Sequence, residues 1–223
     1  MGTLANALER MVNRLARSCG TGSGQAAHKS HLEVERKFRI SEDEWRRLPE
    51  TLRARGFEPD GQVIMTDTFL PTSNDGDMMR VRNETEAGKR RTLLTLKSWV
   101  RTADGGKERQ ETERSIGRFL AAVLVTVGRW LNGSHLLSFS KHRQMFATNI
   151  SGQAVVVSID RVSGLGEYSG CYLEVEILVP VGQDVTLARE HIYALVSELF
   201  GEARQPVELS YMEMLKRSAR ARN

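Results

Sequence analysis

The sequence predicts an α+β domain in which an eight-stranded antiparallel β-barrel has helices packed outside it. The first observation is a series of eight stretches with strand composition, most of them separated by turn-like residues. These stretches are residues 32–40, 62–70, 78–84, 91–99, 107–115, 135–147, 153–161 and 171–179. The second is that charged and apolar residues alternate along many of them, which gives each strand one charged face and one apolar face. The third is that stretches with helical spacing are available to cover the apolar faces. Strands that mostly follow one another in antiparallel order favour a closed barrel.

Helices are predicted after the first strand, in the middle of the chain and near its end. Ser41 and Glu44 form a capping-box pattern that begins the first helix. Residues 115–131 and 187–201 carry apolar residues at helical spacing, and the second of these ends at a glycine C-cap. A further helix is predicted in "VELSYMEMLKR", residues 207–217.

The two ends of the chain differ from its middle. Residues 3–17 have apolar residues at helical spacing, and "GTGSGQ" after them is typical of a flexible linker. We therefore predict an N-terminal extension and linker at 1–30, one domain at 31–215 and a basic C-terminal tail at 216–223. The formal net charge is +4. Residues 1–30 contribute +3 and the last eight contribute +4, so residues 31–215 carry −3. Because the basic excess lies in the ends, we expect no specific nucleic-acid partner.

Composition and cysteine usage indicate an ordinary globular protein. The chain is 40% hydrophobic and 27% charged, and no apolar run approaches the ~20 residues of a membrane-spanning helix. We therefore expect no membrane span. Two cysteines, Cys19 and Cys171, do not make a disulfide framework, which favours a reducing, cytoplasmic location.

The charged strand faces repeat a regular pattern of acids and bases. The repeated motifs are Glu33-x-Glu35-x-Lys37, Arg80-x-Arg82, Thr95-x-Lys97, Glu111-x-Glu113, Lys141-x-Arg143 and Glu174-x-Glu176. A solvated face would mix polar residue types more loosely. Since the apolar residues opposite must pack under the helices, we predict a barrel that is apolar outside and charged inside. Unpaired buried charge is costly, so a charged interior must hold water or a ligand.

The residue types indicate the chemistry of that ligand. Clustered carboxylates repel one another unless they bind a hard cation, and oxygen-only ligation suits Mg²⁺ or Mn²⁺. Clustered arginines and lysines suit an extended polyphosphate. The sequence has no Walker loop, no dinucleotide-binding glycine motif and no His/Cys metal spacing.

These motifs, in this order over residues 31–215, resemble the CYTH superfamily, also called triphosphate tunnel metalloenzymes. The last element of the resemblance is Asp160, the "GLG" at 164–166 and the final Glu-x-Glu pair. The resemblance implies a β-tunnel that holds a triphosphate and one or two divalent ions. The metal-side residues that it implies are Glu33, Glu35, Asp160, Glu174 and Glu176. The phosphate-binding residues that it implies are Lys37, Arg80, Arg82, Lys97, Lys141 and Arg143. Glu111 and Glu113 would orient the bases or water, and catalysis is assigned to Glu33, Glu35 and Lys37.

The function that we predict from the sequence is metal-dependent hydrolysis of a triphosphate, either tripolyphosphate or an organic triphosphate. Relatives implied by the resemblance are tripolyphosphatases, thiamine triphosphatases and class IV adenylyl cyclases. Three alternatives stay open: a cyclase that makes cyclic AMP and pyrophosphate from ATP, a non-catalytic triphosphate or polyphosphate binder, and a structural or RNA-binding protein, which the basic ends suggest. The same tunnel residues serve hydrolysis and cyclisation, but the sequence shows no identifiable adenine pocket. A homodimer is a further expectation.

Overall fold

The computed structural model describes residues 31–72, 77–101, 107–132, 135–150, 152–180 and 184–221, without the side chains of residues 31, 98–101 and 107–111. The stretch with helical spacing at 3–17 lies outside the described residues. The strands are β1 (His31–Ile40), β2 (Glu58–Leu70), β3 (Met78–Glu86), β4 (Lys89–Arg101), β5 (Lys107–Ser115), β6 (Ser138–Ile150), β7 (Gln153–Ser163) and β8 (Gly170–Pro180). The helices are α1 (Glu42–Ala54), α2 (Arg118–Leu131), α3 (Thr186–Phe200) and α4 (Tyr211–Arg220), with a short 3₁₀ helix at Gly166–Tyr168.

The eight strands are hydrogen-bonded in the order β1-β8-β7-β6-β2-β3-β4-β5. The β1–β8, β8–β7, β7–β6, β3–β4 and β4–β5 pairs are antiparallel. The predicted α+β class with eight antiparallel strands is therefore confirmed. Two neighbouring pairs, β1–β8 and β6–β2, join strands that are distant in the sequence. Within the described residues, the hydrogen-bonded order ends at β1 and β5.

The chain divides into two compact units. The described residues between 65 and 139 belong to the first unit, and those within 31–64 and 140–221 belong to the second. In the first unit, buried residues of β3 and β4 such as Val81 and Leu94 pack with Ala121 and Leu124 of α2. The apolar faces of β3 and β4 are thus covered by a helix, as the sequence predicts.

In the second unit, the apolar faces of three strands form one core with two helices. Phe38 of β1, Ile159 of β7 and Leu173 of β8 are fully buried. They belong to the same cluster as Leu52 of α1 and Ile192 of α3. The alternation that the sequence predicts therefore has a physical cause, because the helices cover one face of each strand and leave the charged residues on the other.

The ends of the helices are fixed by local hydrogen bonds. The predicted capping box at α1 is confirmed: the backbone N–H of Glu44 donates to Ser41 Oγ (3.2 Å), and the backbone N–H of Ser41 donates to the Glu44 carboxylate (2.7 Å). Helix α3 ends at Gly201, which adopts φ +71°, so the predicted glycine C-cap is also confirmed. Helix α4 continues to Arg220, so the boundary predicted at residue 216 falls inside a helix. None of the helices in the described residues combines the length and the apolar character needed to span a membrane.

Candidate functional site

The antiparallel register in the second unit places oppositely charged residues directly across from one another. Lys37 of β1 lies opposite Glu174 of β8, and Arg143 of β6 lies opposite Asp160 of β7. These residues occupy the strand faces that do not pack in the apolar core, since their neighbours Phe38 and Leu173 do. The alternation seen in the sequence therefore leads directly to contacts between strands.

These contacts form one connected network in the second unit, which we call the first cluster. The first cluster is Lys37, Lys141, Arg143, Asp160, Glu174 and Tyr211. Arg143 donates from Nε and Nη2 to the two carboxylate oxygens of Asp160, at 2.7 Å each, and Nη2 also contacts Glu174. Lys141 Nζ lies 3.2 Å from Asp160 Oδ2, and Lys37 Nζ lies 3.5 Å from Glu174 Oε1. Three basic groups thus share two carboxylates.

Burial makes these pairs electrostatically strong. Asp160 is 0% exposed, and burial alone would raise its pKa. Lys141 and Arg143 outweigh that effect and hold the pKa of Asp160 below its usual value, so its carboxylate stays ionised. Burial would likewise lower the pKa of Arg143, but its hydrogen bonds to Asp160 and the charge of Glu174 raise it above its usual value. Asp160 and Arg143 therefore form an ionised pair at neutral pH.

Tyr211, the first residue of α4, belongs to this network although no motif in the sequence indicates a site there. Its hydroxyl donates to Asp160 Oδ2 at 3.0 Å. Burial and the carboxylates of Asp160 and Glu174 raise the pKa of Tyr211 well above its usual value, so the phenol remains a hydrogen-bond donor. The sequence predicts a helix over 207–217, but nothing local shows that its start lies against β7.

The remaining predicted metal-side carboxylates lie on β1 and β8 beside the first cluster. Glu35 is directly opposite Glu176, and Glu33 is opposite Leu178. Glu33 and Glu35 are exposed, whereas Glu174 is buried. Partial desolvation and the neighbouring Glu174 carboxylate raise the pKa of Glu35, although Lys37 and Arg143 oppose this. Among the described residues, no group of three or more acidic, histidine or cysteine side chains has a metal-holding arrangement.

Glu35→Gln is expected to raise the melting temperature of the metal-free protein slightly at pH 7, by about 1 °C. The folded-state pKa of Glu35 lies above its unfolded value, so the ionised group destabilises the fold above that pKa. This destabilisation disappears as the pH falls through the folded-state pKa towards 4.5, and the difference between variant and wild type should shrink with it. The effect is small because solvent screens an exposed carboxylate. Thermal unfolding in EDTA between pH 4.5 and 8 measures the change in melting temperature, and Glu50→Gln on α1 is a control at an exposed glutamate. A melting temperature of Glu35→Gln below that of the wild type at pH 7 would contradict the prediction.

A separate network lies in the first unit, and we call it the second cluster. The second cluster is Asp67, Arg80, Arg82, Thr95 and Glu113. Arg82 donates from Nε and Nη2 to the two oxygens of Asp67, at 2.6 and 2.8 Å, and Arg80 Nη1 donates to Oδ2 at 3.2 Å. Arg80 Nη2 donates to Thr95 Oγ1 (3.1 Å), which in turn donates to Glu113 (3.0 Å). The charge of Asp67 helps to raise the pKa of Arg82 above its usual value, against the effect of burial.

Asp67 of β2 is the residue of this cluster that the sequence motifs miss. Its carboxylate is 2% exposed and fixes the orientation of both predicted phosphate-binding arginines of β3. Lys97 of β4 lies opposite Met78 of β3 and opposite Glu111 of β5. The side chain of Glu111 lies outside the described residues. The structure therefore joins Arg80, Arg82 and Glu113 through contacts, and gives a strand register for Lys97 and Glu111.

Comparisons with known proteins agree with this fold. The sequence model of the CYTH domain matches residues 31–211. No curated protein matches the chain. Among solved structures, the PH1819 protein from Pyrococcus horikoshii OT3 is similar with a TM-score of 0.58 and 23% identity, covering 83% of this chain and 99% of that one. HpAC1 from Hippeastrum, described as having a dominant triphosphatase activity, is similar with a TM-score of 0.53 and 16% identity, covering 83% of this chain and 96% of that one.

Proposed function

Because this chain belongs to the CYTH domain family, we propose that it is a divalent-metal-dependent triphosphatase acting on inorganic tripolyphosphate or an organic triphosphate. The observation that carries the proposal is the first cluster, in which three basic side chains converge on two carboxylates. The triphosphatase activity described for HpAC1 is that protein's own, and it is consistent with hydrolysis here.

The basic groups of the first cluster are suited to binding phosphate oxygens. Lys37 and Lys141 are at most 10% exposed as side chains, and Arg143 is 19% exposed. A triphosphate carries about four negative charges, and each charge-assisted hydrogen bond contributes about 1.5–3 kcal/mol. Phosphate oxygens can therefore replace Asp160 and Glu174 as partners of these bases.

The second cluster contains arginines whose orientation is already fixed. Asp67 holds one edge of the Arg82 guanidinium through two hydrogen bonds. A planar guanidinium held in this way presents its other donors in a defined direction, which a flexible ammonium does not. In our proposal, Arg80, Arg82 and Lys97 are phosphate-binding residues, and Glu113 orients Arg80 through Thr95.

The carboxylates fit a hard divalent ion by their chemistry. Glu33, Glu35 and Glu176 offer only oxygen donors, as Mg²⁺ and Mn²⁺ prefer. Desolvation and, after it, the charge of Glu174 raise the pKa of Glu35, and a bound cation would favour its ionised form. Glu174 and Asp160 form ion pairs with basic side chains in this structure. They would be able to coordinate a metal ion when phosphate oxygens replace them as partners of those bases. When bound, the ion would supply charge neutralisation and an activated water. Lys37, Lys141 and Arg143 would orient the phosphates and stabilise the charge that develops on the leaving diphosphate as the terminal phosphoryl group is transferred to water.

An assay of the full-length protein tests the proposal. Tripolyphosphate, ATP and thiamine triphosphate are each incubated with the protein and Mg²⁺ or Mn²⁺, and the products are separated. We expect tripolyphosphate to yield orthophosphate and pyrophosphate at a rate at least equal to the turnover of ATP, because the identified contacts are suited to phosphate. EDTA should abolish turnover, and added Mg²⁺ or Mn²⁺ should restore it.

The same assay separates the alternatives. Cyclic AMP and pyrophosphate from ATP, with tripolyphosphate acting only as an inhibitor, would identify an adenylyl cyclase. Tight binding of tripolyphosphate without any product would identify a non-catalytic binder. Full turnover by EDTA-treated, metal-free protein would contradict the metal requirement.

A further inference from the structure

The aromatic ring of Tyr211 lies against two of the basic groups of the first cluster. Lys37 Nζ lies 3.8 Å from the ring centroid, and Lys141 Nζ lies 5.1 Å from it. These lysines come from β1 and β6, which are not neighbours in the sheet. One side chain therefore contacts both ammonium groups from outside the sheet.

The position of Tyr211 is fixed by the segment that precedes it and by the start of α4. The backbone N–H of Val207 donates to the carbonyl of Lys37 at 2.6 Å, which holds this segment against β1. Ser210 caps α4 through a capping box, with its Oγ accepting from the backbone N–H of Glu213 (3.2 Å). The ring also makes an edge contact with the ring of Tyr172, at a centroid distance of 5.5 Å and an angle of 82°. The position of Tyr211 is thus fixed by backbone hydrogen bonds near it and by the contact of its ring with Tyr172.

The docking of α4 supports the same position. Met214 and Leu215 are buried, and Ser218 lies over the backbone of Gly166 in the turn between β7 and β8. Gly166 has φ +60°, and a Cβ atom there would meet the Ser218 side chain, so the glycine allows this close approach. The helix therefore anchors Tyr211 over the strands that carry Asp160 and Glu174.

An aromatic face differs from a carboxylate as a partner for a lysine that must bind phosphate. The ring attracts an ammonium group through its quadrupole without adding a negative charge. Asp160 and Glu174 also hold the lysines, but as anions they compete with, and repel, an incoming triphosphate. The ring can keep its contact with Lys37 and Lys141 while the carboxylates are displaced.

We propose that Tyr211 is a positioning residue that uses its ring face to hold Lys37 and Lys141 ready for a triphosphate, and its hydroxyl to hold Asp160. This inference rests on the proposed function for the identity of the ligand. It assigns separate roles to the two parts of one side chain, and these can be separated by substitution. Tyr211→Phe keeps the ring and removes the hydroxyl, whereas Tyr211→Leu removes both.

The test compares wild type, Tyr211→Phe and Tyr211→Leu by steady-state kinetics with tripolyphosphate and Mg²⁺, and by calorimetric binding of tripolyphosphate. Two cation–π contacts give an expected rise of about 5- to 30-fold in KM and Kd for Tyr211→Leu. Tyr211→Phe should stay within about threefold of the wild type in both, because the ring remains. The matched control is Tyr193→Leu on α3. The ring of Tyr193 contacts the ring of Phe38 in an edge geometry, and its removal should leave KM unchanged.

Two further measurements separate positioning from folding. Thermal unfolding shows whether each variant is folded at the assay temperature. In a Lys37→Met, Lys141→Met background, Tyr211→Leu should have little further effect on Kd, because the ring has no ammonium group to hold. The inference is overturned if Tyr211→Phe and Tyr211→Leu raise Kd equally. It is also overturned if Tyr211→Leu raises Kd by the same factor in the Lys37→Met, Lys141→Met background as in the wild type. A wild type that neither binds nor hydrolyses a triphosphate would instead overturn the proposed function together with this inference.

Discussion

Asp67→Ala is expected to lower the free energy of unfolding by about 3–5 kcal/mol, because it removes the shared partner of two largely buried arginines. The side chain of Asp67 is 2% exposed, and the side chains of Arg80 and Arg82 are 12% and 17% exposed. Without Asp67, both guanidinium groups would lose hydrogen bonds in a place that water reaches poorly. Chemical denaturation at pH 7 measures the loss.

Two other substitutions show whether charge or hydrogen bonding is responsible. Asp67→Asn keeps one acceptor oxygen and nearly the same volume, so we expect a smaller loss of about 2–3 kcal/mol. Asp60→Ala on the same strand alters an exposed carboxylate and should change the stability by no more than about 0.5 kcal/mol. If Asp67→Ala is as stable as Asp60→Ala, the second cluster does not depend on this carboxylate. In Asp67→Asn protein that is folded, a raised KM for tripolyphosphate would show that Arg80 and Arg82 need Asp67 for their orientation.

The strand faces could be predicted because their cause is local. A period of two places alternate side chains on opposite faces whatever the partner strand is, so Glu174 and Glu176 separate from Leu173 and Val175 in the sequence and in the structure. The capping box at Ser41 is local in the same sense, since both of its hydrogen bonds span three residues. Local rules of this kind are sufficient to predict eight strands and the start of α1.

The partners of the charged residues could not be predicted, because they depend on pairing between distant strands. Asp160 meets Arg143 through the β6–β7 register, and Lys37 meets Glu174 only because β1 pairs with β8. Asp67 sits in a stretch that has no acid or base repeat around it, so no motif distinguishes it from an exposed aspartate. Tyr211 likewise lies at a helix start that only the folded chain brings to Asp160.

The residues of the charged strand faces are also buried to different extents, which the sequence pattern does not indicate. Along β1, Lys37 is buried while Glu33 and Glu35 are exposed, although all three alternate in the same phase. The period of two gives the strand face on which a side chain lies, but how deeply that side chain is buried depends on what packs around it. At Lys37, the segment that reaches Tyr211 supplies the cover, since the carbonyl of Leu209 lies 3.5 Å from Lys37 Nζ.

Arg143→Ala is expected to cause the largest combined loss, about 3–5 kcal/mol in the free energy of unfolding and about 10²- to 10³-fold in kcat/KM for tripolyphosphate. Arg143 supplies both hydrogen bonds of the bidentate pair with Asp160, which is 0% exposed, and it also contacts Glu174. Removing it leaves two buried carboxylates with fewer bases, and in our proposal it removes a phosphate-binding group. Denaturant unfolding and steady-state kinetics with Mg²⁺ measure the two losses separately.

Arg143→Lys distinguishes charge from geometry at the same position. A lysine restores the positive charge but cannot form the two parallel hydrogen bonds of the guanidinium, so we expect about half of the stability to return and kcat/KM to remain at least tenfold below that of the wild type. The control is Arg161→Ala on β7, where a 54% exposed arginine pairs with Glu42 at 3.0 Å; such surface pairs contribute no more than about 1 kcal/mol, and turnover should be unchanged. If folded Arg143→Ala protein hydrolyses tripolyphosphate at the wild-type rate, Arg143 only stabilises the fold. Triphosphate binding by the first cluster would then have to depend on Lys37 and Lys141 alone.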